Sequence, residues 1–125
     1  MDLVFDARAR RLLDHSRPGQ AVLITIVGNY GLPGTALTAE WCQARQAECD
    51  PDLLHVDSCH GVPIFAHRRV AAYARWHELP ITARSFGWWP TFAVAHAGEI
   101  CRDLVRWERL HPGLCAQAHG TRSTA

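Results

Sequence analysis

The sequence predicts an α+β domain, because short apolar runs rich in β-branched residues alternate with segments of helical character. Residues 21–27 (AVLITIV) form a continuous apolar run that favours a buried strand. Residues 99–110 repeat apolar side chains at helical spacing, with Ile100, Leu104 and Trp107 on one face. Together these patterns predict small mixed or antiparallel β-sheets with an N-terminal helix, a short middle helix and a C-terminal helix.

Length and composition predict how many domains the chain forms and whether it can build a core. The 125 residues predict one domain over residues 1–115, followed by a small polar tail at 116–125 that is expected to be flexible. Apolar residues make up 48% of the chain and charged residues 20%, so a core is expected to form without a disulfide or a metal. The net charge of +1 predicts no strong attraction to nucleic acid or to a membrane surface.

The N-terminus and the cysteines predict the cellular location. Residues 1–5 are too short for the apolar part of a signal peptide, and no apolar run approaches the roughly 20 residues that span a bilayer. The five cysteines are scattered and include no C-x-x-C pair. A cytoplasmic protein with reduced thiols is therefore expected.

The first half of the chain is predicted to start with a helix. Residues 6–16 combine an N-terminal Asp with an apolar stripe, and an Arg-Pro-Gly sequence ends the helix. After the strand at 21–27, the three glycines of residues 28–34 (GNYGLPG) predict a loop. Residues 35–49 leave two hypotheses open: a strand that continues a hairpin, or a helix capped by Thr38.

The second half is predicted to contain four extended segments, two turns and a helix between them. Alternation along the extended segments places Phe65, Phe92 and Val94 in the core. The predicted segments are 52–57 and 62–66 around a turn at 58–61, a helix at 67–77, and 80–84 and 88–97 around a turn at Gly87.

The order of these pieces resembles that of a known family. The helical FDARARRLLDHS, the segment DLLHVDSCHGVPIFAHRRVAAY, the strand ELPITAR and the later FAVAH follow one another within residues 4–100. This order is similar to that of the HesB-like domain, the fold of A-type iron–sulfur carriers and of related small bacterial proteins. The resemblance implies a HesB-like fold for residues 1–115.

The resemblance also implies a function. A-type carriers hold iron or a cluster with a Cys in the Gly-rich loop and a C-x-C pair near the C-terminus. Here Tyr30 stands in the Gly-rich loop and Cys101 is a single thiol, whereas a cluster needs several thiolates. The implied function is a non-catalytic binding or assembly module related to iron–sulfur biogenesis proteins, with no cofactor expected. The alternative is a carrier of iron or an iron–sulfur cluster that uses Cys59 and Cys101 in a dimer.

The pair Cys59-His60 is the strongest local candidate for chemistry, because it lies in a predicted turn. A thiolate and an imidazole are metal ligands, and Cys101, with His96 or His67, could complete such a site. The same pair could act as a thiolate–imidazole couple in a small enzyme. A buried thiol beside a surface histidine is the commoner arrangement, because adjacent strand residues point to opposite faces.

Two groups of side chains suggest a ligand-binding or interface surface. A basic aromatic patch could bind a phosphate-bearing ligand or nucleic acid, although the balanced charge favours a solvated helix face. In the dipeptide Trp88-Trp89, strand alternation predicts one exposed and one buried indole, and an exposed indole marks an interface or groove. The interaction expected is with a protein partner or a second copy of the chain. The residues assigned to these surfaces are Tyr30, Arg68, Arg69 and Trp88, with Arg75, Arg84, Tyr73 and Trp76 in the patch.

Overall fold

The computed structural model describes residues 3–27 and 36–112 and confirms the α+β class. The predicted loop at 28–34, with Tyr30, and the tail at 116–125 lie outside these residues. None of the helices in the described ranges is long and apolar enough to cross a membrane. The strands are β1 (Leu3–Phe5), β2 (Gln20–Val27), β3 (Ala36–Gln43), β4 (Leu53–Cys59), β5 (Val62–His67), β6 (Leu79–Phe86) and β7 (Trp89–Val94). The helices are α1 (Ala7–Leu13), α2 (Ala44–Cys49), α3 (Arg68–Ala74) and α4 (Ala97–Leu110).

The strands form two mixed sheets. In the four-stranded sheet, with strand order β3-β2-β5-β4, β2 runs parallel to β5, and the outer pairs β2/β3 and β4/β5 are antiparallel. In the three-stranded sheet, with order β1-β6-β7, β1 is parallel to β6 and β6 is antiparallel to β7. The strand β1 was not predicted, because three residues are too few to show a readable alternation.

Both predicted turns join antiparallel strands, but the first is shorter than predicted because Ser58 and Cys59 pair with β5 as part of β4. His60 and Gly61 link β4 to β5 with φ of 51° and 77°, and two successive left-handed residues are the signature of a type I′ hairpin turn. Gly87 begins the turn from β6 to β7 with φ of 62°, and a glycine at the first central position is typical of a type II′ turn. The turn residues in the sequence therefore fix the register of both hairpins.

Residues 36–49 combine the two hypotheses that the sequence left open. The first eight form β3, which pairs with β2 over its whole length, and the next six form the short helix α2. Ladder hydrogen bonds to β2 override the local helix preference of the Ala, Glu and Gln residues in β3. Cys42 and Cys49 consequently lie in different elements and share no helix face.

The main core lies where the two sheets meet. Phe92 of β7 packs edge-on against Trp41 of β3, with 4.9 Å between ring centroids, and against Phe5 of β1 at 6.4 Å. Val94 is buried in the same cluster, as predicted. Phe65 is buried too, but it lies in a separate small cluster with Ala residues of β2 and α2. The side chains that α1 contributes to the main core are Ala9, Leu12 and Leu13.

Replacing Phe92 with Ala should lower the free energy of unfolding by about 3–5 kcal/mol, because a large buried ring is removed from between two others. Chemical denaturation measures this loss. Trp89→Ala is the matched control on the same strand: its side chain is 73% exposed, so its effect should stay within about 0.5 kcal/mol. Equal effects of the two substitutions would contradict the described core.

Replacing Asp6 with Ala should destabilise the protein by about 0.5–2 kcal/mol, because the Asp6 carboxylate caps α1 by accepting from the Ala9 N–H at 2.9 Å. A hydrogen bond from Thr82 and this cap lower the pKa of Asp6 in the folded state. Because the pKa is lower in the folded protein, the ionised carboxylate contributes its full stabilisation at pH values above the ordinary pKa of about 4. This contribution is lost as the pH falls through the pKa of the folded state.

Urea denaturation of wild type and Asp6→Ala between neutral and strongly acidic pH measures this effect, and the difference between them should shrink on acidification. Asp6→Asn is the control, because it keeps a capping oxygen but cannot ionise. A difference that does not change with pH would contradict the role of the carboxylate charge.

Candidate functional site

An open cleft lies between α1 and the hairpin formed by β6 and β7. Its volume is about 530 Å³, within the range of roughly 300–1,000 Å³ typical of small-molecule sites. We call it the arginine cleft. Its lining residues are Arg8, Arg11, Leu12, His15, Ala83, Arg84, Ser85 and Pro90.

Helix geometry brings the basic side chains of α1 into this cleft. Arg8 and Arg11 are three residues apart on α1 and exposed, so they share one side of the helix, and His15 lines the cleft from the turn after α1. The opposite face of α1 is buried in the core. Arg84 lines the cleft from β6 and is also exposed, and its side chain leaves the strand on the face opposite those of Ala83 and Ser85. The sequence grouped Arg84 with the residues of α3, whereas the structure places it with α1.

The three guanidinium groups of the cleft have no carboxylate within ion-pair distance among the described residues. Arg11 donates from Nε to the Ala7 carbonyl at 3.3 Å. Of the carboxylates that flank α1, Asp6 caps the helix and interacts with Arg8 only beyond ion-pair distance, and Asp14 lies 2.9 Å from Nδ1 of His60. The cleft therefore concentrates positive charge in a protein whose net charge is only +1.

Both indoles of Trp88-Trp89 are exposed, 89% and 73%, so the prediction that one is buried is wrong. Trp88 belongs to the turn and lies beyond the part of the sheet that the core covers. Trp89 pairs with Phe86, and it alternates with Pro90 and Phe92, which puts its side chain on the outer face of β7.

The basic aromatic patch predicted on α3 is largely neutralised by ion pairs. Arg68 pairs with Asp52, and Arg69 donates two hydrogen bonds to Glu108, from Nε at 2.8 Å and from Nη2 at 2.5 Å. Tyr73 is buried and donates its hydroxyl to Asp103. These side chains hold α3 against its neighbours, so their charges and hydroxyl are not directed toward a ligand. Arg75 and Trp76 of the patch are exposed.

The structure does not bring Cys59, His60 and Cys101 into one metal site. Cys59 is half-buried at the end of β4, the His60 ring bonds to Asp14, and Cys101 is buried in α4 beside Arg69. Across residues 3–27 and 36–112, no group of three His, Cys, Asp or Glu side chains is placed to hold a metal ion.

The two histidines predicted to complete that site have other surroundings. The His67 ring accepts from the Arg69 N–H at 3.2 Å and caps α3, and burial lowers the pKa of His67. His96 is exposed at the start of α4, where its φ is 55°.

The electrostatics of Cys59 and Cys101 favour the thiol over the thiolate. Burial raises the pKa of both groups, and the nearby charges of Arg10 and Arg69 offset this only in part. Thiolate is the reactive form, so neither side chain has the depressed pKa of a catalytic cysteine.

Sequence reasoning missed Arg8, Arg11 and His15. Their signal was present, because three basic residues at i, i+3 and i+7 lie opposite the apolar stripe of a predicted helix. The sequence did not show that Arg84, 69 or more residues further along the chain, lies beside them.

A second cleft provides a comparison. It has a similar volume, about 540 Å³, and lies where the segment before β2 meets the end of β3. Arg17 and Arg45 are its two cationic side chains, and the rest of its lining includes Gln20, Trp41 and Cys42. It therefore carries fewer positive charges than the arginine cleft.

Iodoacetamide should alkylate Cys59 at neutral pH more slowly than it alkylates free cysteine, because the raised pKa of Cys59 leaves little thiolate. Mass spectrometry of the Cys59 peptide measures the rate. In His60→Ala the rate should stay close to that of wild type, since the described hydrogen bond of His60 is to Asp14. A fast reaction that slows in His60→Ala would instead support the Cys–His enzyme hypothesis.

Comparison with known proteins identified no significantly similar protein. No protein-family model, curated protein sequence or solved structure significantly matches the chain.

Proposed function

We propose that this protein is a non-catalytic binding module that holds a small anionic ligand in the arginine cleft. The observation that carries the proposal is that Arg8, Arg11 and Arg84 line one cleft and form no ion pair with a described carboxylate. Guanidinium groups bind phosphate and carboxylate oxygens through paired, charge-assisted hydrogen bonds. A concave site with several such donors matches an anion better than it matches a neutral molecule.

The chemistry of the lining supports binding rather than catalysis. A nucleophile needs an adjacent base within hydrogen-bond reach. Ser85 supplies a hydroxyl and His15 an imidazole to the lining, but these two side chains form no hydrogen bond with one another in the described structure. The arginines are always charged and act as binding groups.

A relationship to HesB-like proteins of iron–sulfur biogenesis is part of the same proposal. It is supported by the order of the elements: α1 precedes the apolar strand β2, and the β4–β5 hairpin leads directly into α3. A cytoplasmic location is proposed as well, and the four free thiols among the described residues support it.

Inorganic pyrophosphate tests the proposed site, and isothermal titration calorimetry at low ionic strength measures its affinity. Arg84→Gln should weaken binding roughly ten- to a hundredfold, because a charge-assisted hydrogen bond contributes about 1.5–3 kcal/mol. The matched control is Arg45→Gln, which removes the same charge from the second cleft and should change the affinity little.

Three results would count against the site. Absence of pyrophosphate binding to the wild-type protein would refute it. Equal losses in Arg84→Gln and Arg45→Gln would show that net charge, rather than the arginine cleft, attracts the anion. A loss confined to Arg45→Gln would move the site to the second cleft.

A further inference from the structure

We infer that the ligand of the arginine cleft joins a planar ring to two or more phosphate groups, as a nucleoside diphosphate does, and that Trp88 stacks on the ring. This inference rests on the proposed function and adds the chemical class of the ligand. It is carried by the position of Trp88 beside the cleft, by the exposure of its indole and by the number of positive charges in the lining.

The register of the hairpin sets the position of Trp88. Ser85 and Pro90 are cross-strand partners in the last part of the hairpin that lines the cleft. One further pair follows, and then Gly87 and Trp88 form the turn. Consecutive Cα atoms are 3.8 Å apart, so the backbone of Trp88 lies within about 8 Å of that of Pro90. The lining of the cleft on the hairpin ends at Ser85 and Pro90, and Trp88 follows at the tip of the same hairpin.

No packing contact within the described residues accounts for an indole at position 88. It is 89% exposed, more than any other large hydrophobic side chain of the described residues, and it makes no described ring contact. Exposed tryptophans beside basic side chains are the stacking platforms of nucleotide-binding surfaces, since every base offers a π-face. The indole would contribute little to the binding of a phosphate that carries no ring.

The charge of the lining points to more than one phosphate. Arg8, Arg11 and Arg84 together contribute three positive charges, and His15 adds a further donor. A monoanion would leave at least two guanidinium groups without a counter-charge. A diphosphate carries two to three negative charges and enough oxygens for several paired hydrogen bonds.

The dimensions of the site favour a small molecule over a nucleic acid. A cleft of about 530 Å³ suits a single nucleotide. Binding of a strand requires an extended basic groove, whereas the arginines of α3 are engaged with Asp52 and Glu108. The low net charge also provides no long-range field for a polyanion.

The adjacent residue Trp89 offers a matched control for Trp88. Its side chain is also exposed, 73%, but it leaves β7 on the face opposite that of the lining residue Pro90. Replacing either indole removes the same amount of aromatic surface from the same hairpin. Only the loss of Trp88 should affect a ring bound over the cleft.

The test compares ADP, pyrophosphate and adenosine by isothermal titration calorimetry without added metal, on wild type, Trp88→Ala and Trp89→Ala. ADP should bind more tightly than pyrophosphate to the wild-type protein. Trp88→Ala should weaken ADP binding about 5- to 150-fold, the range expected for loss of one base–aromatic stack, and should leave pyrophosphate binding unchanged. Trp89→Ala should leave both affinities unchanged, and circular dichroism verifies that both variants are folded.

The outcomes separate this inference from the proposed function. If pyrophosphate binds in an Arg84-dependent manner but ADP binds no better and is insensitive to Trp88→Ala, the inference is overturned and the anion site stands. If neither ligand binds, both are overturned. Equal losses in the two tryptophan variants would also overturn the stacking role. Tighter binding of a single-stranded oligonucleotide than of ADP would replace the small ligand with a nucleic acid.

Discussion

The packing of Phe92 against Trp41 is the contact on which the arrangement of the two sheets depends. β7 and β3 belong to different sheets and share no ladder hydrogen bonds. Contacts between side chains therefore hold the two strands together. Phe5 closes the cluster from β1. Because side chains alternate along a strand, burying Phe92 fixes which face of β7 looks inward over the whole hairpin. The side chain of Pro90 therefore lies on the same face of β7 as Phe92 and lines the cleft, and the side chain of Trp89 lies on the outer face.

The position of α1 is the second condition for the site. The Asp6 backbone N–H donates to the Ile81 carbonyl at 3.0 Å, and the Asp6 carboxylate accepts from Thr82, so the start of α1 is tied to β6. The apolar face of the helix enters the core, and its arginines are left on the other side, next to the hairpin. One capping residue thus stabilises the helix and also positions the basic face of the cleft.

The distribution of carboxylates decides which arginines are available for a ligand. Arg68 and Arg69 meet acidic partners 16 and 39 residues away in the sequence, and these pairs fasten α3 to its surroundings. The Arg69–Glu108 pair is partly buried, so a missing partner there would leave a partly desolvated ion. The exposed arginines of the cleft keep their hydration and can exchange it for an anion. Arg68 and Arg69, which the sequence assigned to a ligand surface, are therefore already used by the structure.

The sequence by itself determined the α+β class, the two hairpin turns and the main apolar strand, because these follow from local chemistry. Glycine at Gly61 and Gly87 permits left-handed backbone, and apolar periodicity distinguishes strands from helices. Tertiary structure alone decided that residues 36–43 form a strand, since pairing with β2 outweighs their helix preference. It also decided the candidate site: α1 and β6 lie far apart in the chain, and only packing of the core brings their arginines to one cleft while other arginines find carboxylates.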